Sequence, residues 1–200
     1  MKPRHLIALA GLALLTALPA QADRISLSQI SSYLNGIRTL EAAFTQVNAD
    51  GSISTGTLYI LRPGRVRFEY APPDRTLVLA GGGQVAIFDG KSNQPPEQYP
   101  LSKTPLNLIL APDIDLTRAR MVVGHTDDGK TTSVIAQDPD HPERGTIRLV
   151  FSDDPVQLRQ WIITDETGGK TTVILGKTET GGQIPSARFS ITAETQRRGL

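Results

Sequence analysis

Arg65-Val66-Arg67-Phe68-Glu69-Tyr70 alternates apolar and polar residues over six positions. Side chains on a strand point to opposite faces in turn, so Val66, Phe68 and Tyr70 share one face and Arg65, Arg67 and Glu69 the other. This is the signature of a half-buried antiparallel strand, wet on one side. Immediately upstream, Thr57-Leu58-Tyr59-Ile60 reads as a second strand. It runs into Arg62-Pro63-Gly64, a turn signal that makes the two strands neighbours.

The same rhythm extends in both directions. Ala71-Pro72-Pro73-Asp74 stops the central strand, Arg75 to Ala80 forms another, and Gly81-Gly82-Gly83 turns the chain into Gln84 to Phe88. Asp89-Gly90 is a hairpin signal, and Lys91 to Gln98 reads as a loop or a frayed edge strand. Further strands are predicted at 118–125, 131–137, 145–151, 158–164, 170–175 and 187–191, separated by Asp-, Gly- and Pro-rich turns. About eleven strands result. So large an antiparallel sheet curls or closes.

Two segments depart from period two. Ile30, Leu34, Ile37 and Leu40 recur at three- and four-residue steps behind Ser26, predicting a helix over 26–40. Thr104-Pro105-Leu106-Asn107-Leu108-Ile109-Leu110 has a threonine N-cap, a proline at the first helical position and four large aliphatics. A helix apolar on all sides needs cover. It either plugs the open end of the curled sheet as ordinary core or forms a lid hinged between Pro105 and Pro112. Ile114 and Leu116 continue it after a break. The tail from Glu194 to Leu200 is polar and expected to be loose.

The N-terminus has the plan of a cleaved export signal, residues 1–22. Lys2 and Arg4 precede the uncharged run Leu6 to Leu18, and Ala20-Gln21-Ala22 gives the small-x-small cleavage pattern. One domain, residues 23–200, is expected to follow, free in the periplasm. The chain has no cysteine, so disulfides, thiolate metal sites, thiol nucleophiles and a lipidated cysteine are excluded. Without Lys2 and Arg4 the body carries 19 Lys+Arg against 20 Asp+Glu, and aromatics make up 5%. Neither the basic stripe nor the stacking platform of a nucleic-acid binder is present.

Candidate catalytic residues are sparse. His125 and His141 fall at a strand end and in a proline-rich turn, outside any metal-ligand spacing. Asp127-Asp128, Asp138 with Asp140, and Asp153-Asp154 sit beside Gly or Pro, where aspartate serves turns. There is no Gly-x-Ser-x-Gly elbow, and Gly81-Gly82-Gly83 lacks the lysine and helix of a phosphate loop. No catalytic residue, metal or cofactor is therefore expected. Arg62 is open to two readings: a turn arginine in water, or a latch whose forked donors bind free carbonyls at a helix C-terminus.

Phe44-Thr45-Gln46, the run Gly56 through Phe68, and Pro100-Leu101-Ser102-Lys103-Thr104-Pro105-Leu106 resemble the periplasmic outer-membrane lipoprotein carrier family, LolA. The element order is similar over nearly the whole mature chain; the C-terminal half matches only in strand rhythm. The resemblance implies a mainly β fold, an incomplete, half-open antiparallel barrel with a helical lid over an apolar cavity. It implies a chaperone that takes acylated lipoproteins from an inner-membrane ATP-driven release complex and passes them to an outer-membrane acceptor, acting as a monomer without catalysis. It puts the latch on Arg62, cavity positions on Val66 and Phe68, and the lid on Pro105, Leu106, Leu108, Ile109 and Leu110.

Family members line the cavity with aromatics, and this chain has few. Phe44, Leu58, Ile60, Tyr70, Leu77, Leu79, Val85, Ile87 and Trp161 are the residues expected to complete it. A carrier of another lipid or glycolipid, or a periplasmic enzyme acting on lipid, is the alternative.

Overall fold

The computed structural model describes residues 24–200; the expected export signal lies outside them. One antiparallel sheet of eleven strands runs through the described residues. Its strands are β1 (Thr39–Val47), β2 (Ile53–Leu61), β3 (Arg65–Tyr70), β4 (Leu77–Gly81), β5 (Gln84–Phe88), β6 (Glu97–Pro100), β7 (Val122–Asp127), β8 (Thr132–Gln137), β9 (Thr146–Ser152), β10 (Gln157–Thr164) and β11 (Lys170–Thr180). Their spatial order is β6-β5-β4-β3-β2-β1-β11-β10-β9-β8-β7. Two meanders meet where β1 pairs with β11, and among the described residues β6 and β7 are unpaired edges, so this sheet is open.

The central alternation sets the register. Leu58 faces Phe68 and Ile60 faces Val66 across β2 and β3, while Tyr59 faces Arg67 on the other side. Gly56 opposes Phe44 on β1. A Cβ there would lie 2.1 Å from the Glu69 carbonyl and 2.8 Å from the Phe44 ring, so only glycine fits.

The concave face carries the larger core. Leu40, Phe44, Leu58, Ile60, Val66, Phe68, Val134, Ile147, Leu149, Trp161, Val173 and Leu175 meet there beneath two helices. Helix α1 (Leu27–Gly36) begins at a Ser26–Gln29 capping box and sends Ile30 and Leu34 into this core. Helix α2 (Leu106–Leu110) contributes Ile109 and Leu110, and Ile114 and Leu116 follow.

A second core occupies the convex face. Tyr59, Leu77, Leu79, Ala86, Phe88 and Phe189 pack together under a 3-10 turn (Ser186–Phe189) and helix α3 (Ile191–Arg198).

The structure corrects several sequence expectations. The first helix ends at Gly36, because Thr39 enters the ladder with Leu61; Leu40 is a strand residue whose spacing happened to continue the helical stripe. Residues 118–121 precede β7, which runs from Val122 to Asp127. Residues 187–191 are no strand; β1 and β6 bring the sheet to eleven, and β6 overlaps the segment 91–98, expected as a loop or frayed edge, only at Glu97 and Gln98.

Thr104 does not cap α2. Its hydroxyl donates to the Leu101 carbonyl and closes a preceding 3-10 turn, Leu101–Lys103. The polar tail is α3, with Glu194 buried.

Candidate functional site

Arg62 ends up inside the protein, 8% exposed, between the two concave-face helices. Residue 62 follows β2, where its main-chain N–H donates to the Arg38 carbonyl at 2.9 Å and sets the guanidinium over the sheet. Nη1 donates to the Leu34 carbonyl in the last turn of α1. Nη2 donates to Ala111, the C-cap of α2, at 2.6 Å, and to Asn35 Oδ1 at 3.2 Å. One planar cation thus binds the carbonyl ends of both helices, where orphan acceptors and the negative end of the α1 dipole favour it.

Asn35 extends the junction. Its Nδ2 donates to the Ile114 carbonyl at 2.8 Å and its Oδ1 accepts from Ile114 N at 3.0 Å. Gly64 N donates to the Leu110 carbonyl at 2.9 Å, and Ser31 Oγ accepts from Leu116 N at 3.0 Å. The segment 110–116 is therefore tied to α1 and to the β2–β3 turn by polar bonds.

The junction is incompletely satisfied. Arg62 Nε is buried with no partner among the described residues. Burial, with the nearby Arg38 charge, lowers the Arg62 pKa, and Asp113 opposes the shift. The guanidinium remains charged.

Below the junction the apolar lining is partly aromatic. The Phe44 ring stands edge-on to Phe68 at 5.5 Å and to Tyr70 at 5.1 Å; Phe68 stands edge-on to Trp161 at 6.1 Å. Tyr70 Oη donates to Gln46 Oε1 at 2.6 Å. Burial, with the Asp74 charge nearby, pushes this phenol up to about 12 against the opposing hydrogen bond to Gln46.

Of the residues expected in the cavity, Phe44, Leu58, Ile60, Val66, Phe68, Val85 and Trp161 are members of the concave cluster, and Tyr70 packs against it. Ile87 shares its strand face with Val85 but lies next to the β6 edge, 37% exposed. Leu77 and Leu79 lie on the opposite face, in the convex core. They face Phe88 and Ala86 on β5, so they cannot share a surface with Val85 and Ile87. In the lid segment Ile109 and Leu110 are buried, and Pro105, Leu106 and Leu108 are half-buried.

Asp128 and Asp138 serve turns. Asp128 Oδ1 accepts from Lys130 N and Thr131 N, and Asp138 Oδ1 accepts from Asp140 N while Oδ2 pairs with Arg144 at 3.2 Å. The His125 ring is half-buried, with Nε2 2.9 Å from the Ile25 carbonyl. Burial and the Arg24 charge lower its pKa, against the Ile25 bond and Asp127. His141 contacts Glu143 in an exposed turn.

Sequence reading missed two groups that shape the site. Asn35 joins Arg62 to the segment after α2, a role its sequence context does not signal. The Glu194–Arg67 pair, 3.3 Å, secures α3 on the convex face. Ser190 before that helix and Gly199 after it were the signs available.

A profile of the outer membrane lipoprotein carrier protein LolA family matches residues 35–192. An outer-membrane lipoprotein carrier protein from Chromobacterium violaceum is 26% identical over 95% of this chain and 94% of its own length. One from Azotobacter vinelandii is 26% identical over 86% of each chain. A third, from Methylococcus capsulatus, is 39% identical over 35% of this chain, which spans 36% of that relative. Among solved structures, a DUF1329 family protein from Desulfovibrio piger shares the fold, with a TM-score of 0.50 and 9% identity over 84% of this chain and 95% of its own. Through the profile match over most of its length, this chain belongs to the outer membrane lipoprotein carrier protein LolA family.

Proposed function

We propose that this protein is a periplasmic carrier that shelters the acyl chains of lipoproteins released from the inner membrane and delivers them to the outer membrane. The observation that carries the reading is the Arg62 junction. A single buried cation holds two helices over the apolar face of an open sheet. Family membership supports the cargo class.

The physics of the task explains the architecture. Each buried CH₂ is worth about 0.8 kcal/mol, so a triacylated protein does not cross water unaided. The carrier needs an apolar face that is covered when empty and accessible when loaded. Removing α1 and α2 from the sheet uncovers that face, and the bonds from Arg62 oppose the removal. The unpartnered Nε lowers the margin by which the covered state is favoured, because an unmade buried hydrogen bond costs about 1–3 kcal/mol.

In this reading an inner-membrane ATP-driven complex loads the carrier and an outer-membrane acceptor unloads it. Residues 1–22 direct export, and residues 23–200 act as one monomeric domain. The role is binding and transfer, with no reaction at the site. No helix among the described residues is long and apolar enough to cross a membrane.

Native mass spectrometry of the mature protein purified from its own periplasm tests this reading. Acylated protein should dissociate on mild denaturation, and Leu106→Asp or Ile109→Asp should lose it. Bound lipid or glycolipid without protein would shift the cargo class. An empty protein that also fails to take up a triacylated peptide would favour a lipid-acting enzyme.

A further inference from the structure

A cleft of about 330 Å³ opens beside the lid, between residues 102–108 on one side and the β8–β9 connection on the other. Ala136 and Ile147 form part of its lining. They pair across β8 and β9, and both belong to the concave core. Leu108 and Met121, each half-buried, add apolar wall. The cleft is therefore continuous with the apolar face that α1 and α2 cover.

The anchoring of the lid is one-sided. Its C-terminal end is held by Arg62 and Gly64, and its approach by Leu101 N, which donates to the Gly83 carbonyl at 2.9 Å. Among the described residues, no hydrogen bond or ion pair joins residues 102–108 to residues 136–147. Parting this side of the lid therefore breaks no polar bond among the described residues. The rim is polar. Lys103 is exposed, with no ion pair among the described residues, and across the cleft Arg144 is tied to Asp138.

Resting on the carrier reading above, we infer that this cleft is the port through which an acyl chain slides under α2. The methyl end leads toward Phe68 and Trp161, while the ester-bearing head stays at the rim beside Lys103. The ligand class is a linear acyl chain ending in an oxygen-rich polar head. Apolar wall suits the chain, and a free ammonium suits ester and amide carbonyls.

The test uses the mature protein and a synthetic triacylated lipopeptide in two photoreactive forms. One carries a diazirine next to the ester, the other at the methyl end. The head-end probe should label residues 102–108 or Met121; the methyl-end probe should label concave-core residues such as Phe68 or Trp161. Leu108→Glu should weaken lipopeptide binding at least 10-fold with unchanged near-UV circular dichroism, and Lys170→Glu should leave it unchanged.

Head-end labelling elsewhere with binding intact, the reverse order of labelling, or a folded Leu108→Glu variant that binds normally overturns the port alone. Absence of lipopeptide binding by the wild-type chain overturns the carrier reading and the port with it. If Leu108→Glu does not fold, the wild-type labelling pattern still decides.

Discussion

Arg62 and Ala111 lie 49 positions apart, yet Arg62 Nη2 donates to the Ala111 carbonyl at 2.6 Å. The bond links the end of β2 to the residue that terminates α2. A second arm of the same guanidinium reaches α1, so the two concave-face helices share one fastening.

Arg62→Leu removes both arms and leaves the Ala111 carbonyl without this donor, while the Leu34 carbonyl still accepts from Ile37 N at 3.3 Å. A buried acceptor left unsatisfied costs about 1–3 kcal/mol. Amide hydrogen exchange over 108–114 should accelerate about 5- to 100-fold on that basis, while β8 to β10 exchange as before. The variant should release cargo poorly or fail to accept it in a transfer assay. Normal transfer would argue against the latch.

Glu194 governs the acid limit of the convex face. Burial alone would raise its carboxyl, but bonds from Arg197 and Arg198 and the charge of Arg67 outweigh it and hold the group at about 2. A depressed folded pKa contributes stability that is complete above the ordinary carboxylate value and is lost as pH falls toward about 2. The urea midpoint should therefore drop between about pH 5 and pH 2, and Glu194→Gln should flatten that drop. At neutral pH the variant should lose about 2 kcal/mol, less than the 3–5 of an uncompensated buried charge, because Glu69 still neutralises Arg67.

Gly56→Ala tests the close approach of β1, β2 and β3. The added methyl meets a main-chain oxygen and the Phe44 ring. Overpacking of this kind costs about 1–3 kcal/mol. Urea denaturation should show that loss with an unchanged slope, whereas Gly182→Ala, with open space around it, should stay within about 0.5 kcal/mol of wild type.

Tyr70 offers a spectroscopic readout from within the lining. Its phenol should remain protonated at pH 11 and ionise near pH 12, seen as a late component of tyrosinate absorbance that Tyr70→Phe removes, while Tyr33 and Tyr99, also raised, keep their share of the delay. A raised phenol contributes stability that is complete below about pH 10 and declines as pH rises toward 12. Loss of the bond to Gln46 should cost the variant about 1 kcal/mol in urea at neutral pH.

The alternation from Arg65 to Tyr70 and the glycine-, proline- and aspartate-rich turns were enough to read an antiparallel sheet of about eleven strands, though not β1, because side-chain direction and turn conformation are local properties. The same local chemistry marked the short apolar segment 104–110 and set Arg62 apart at the end of its strand.

Which face each apolar set covers was decided by tertiary structure. Leu77 and Leu79 alternate as Val66 and Phe68 do, but β4 is covered on both sides, and period two does not distinguish two buried faces. Leu40 fits a helical stripe and belongs to a strand, since pairing with Ile60 outweighs a weak helical preference. The polar tail folds because α3 finds the apolar convex face and Glu194 finds Arg67, 127 residues away. The partners of Arg62 likewise come from segments distant in sequence, brought together by the curl of the sheet beneath α1 and α2.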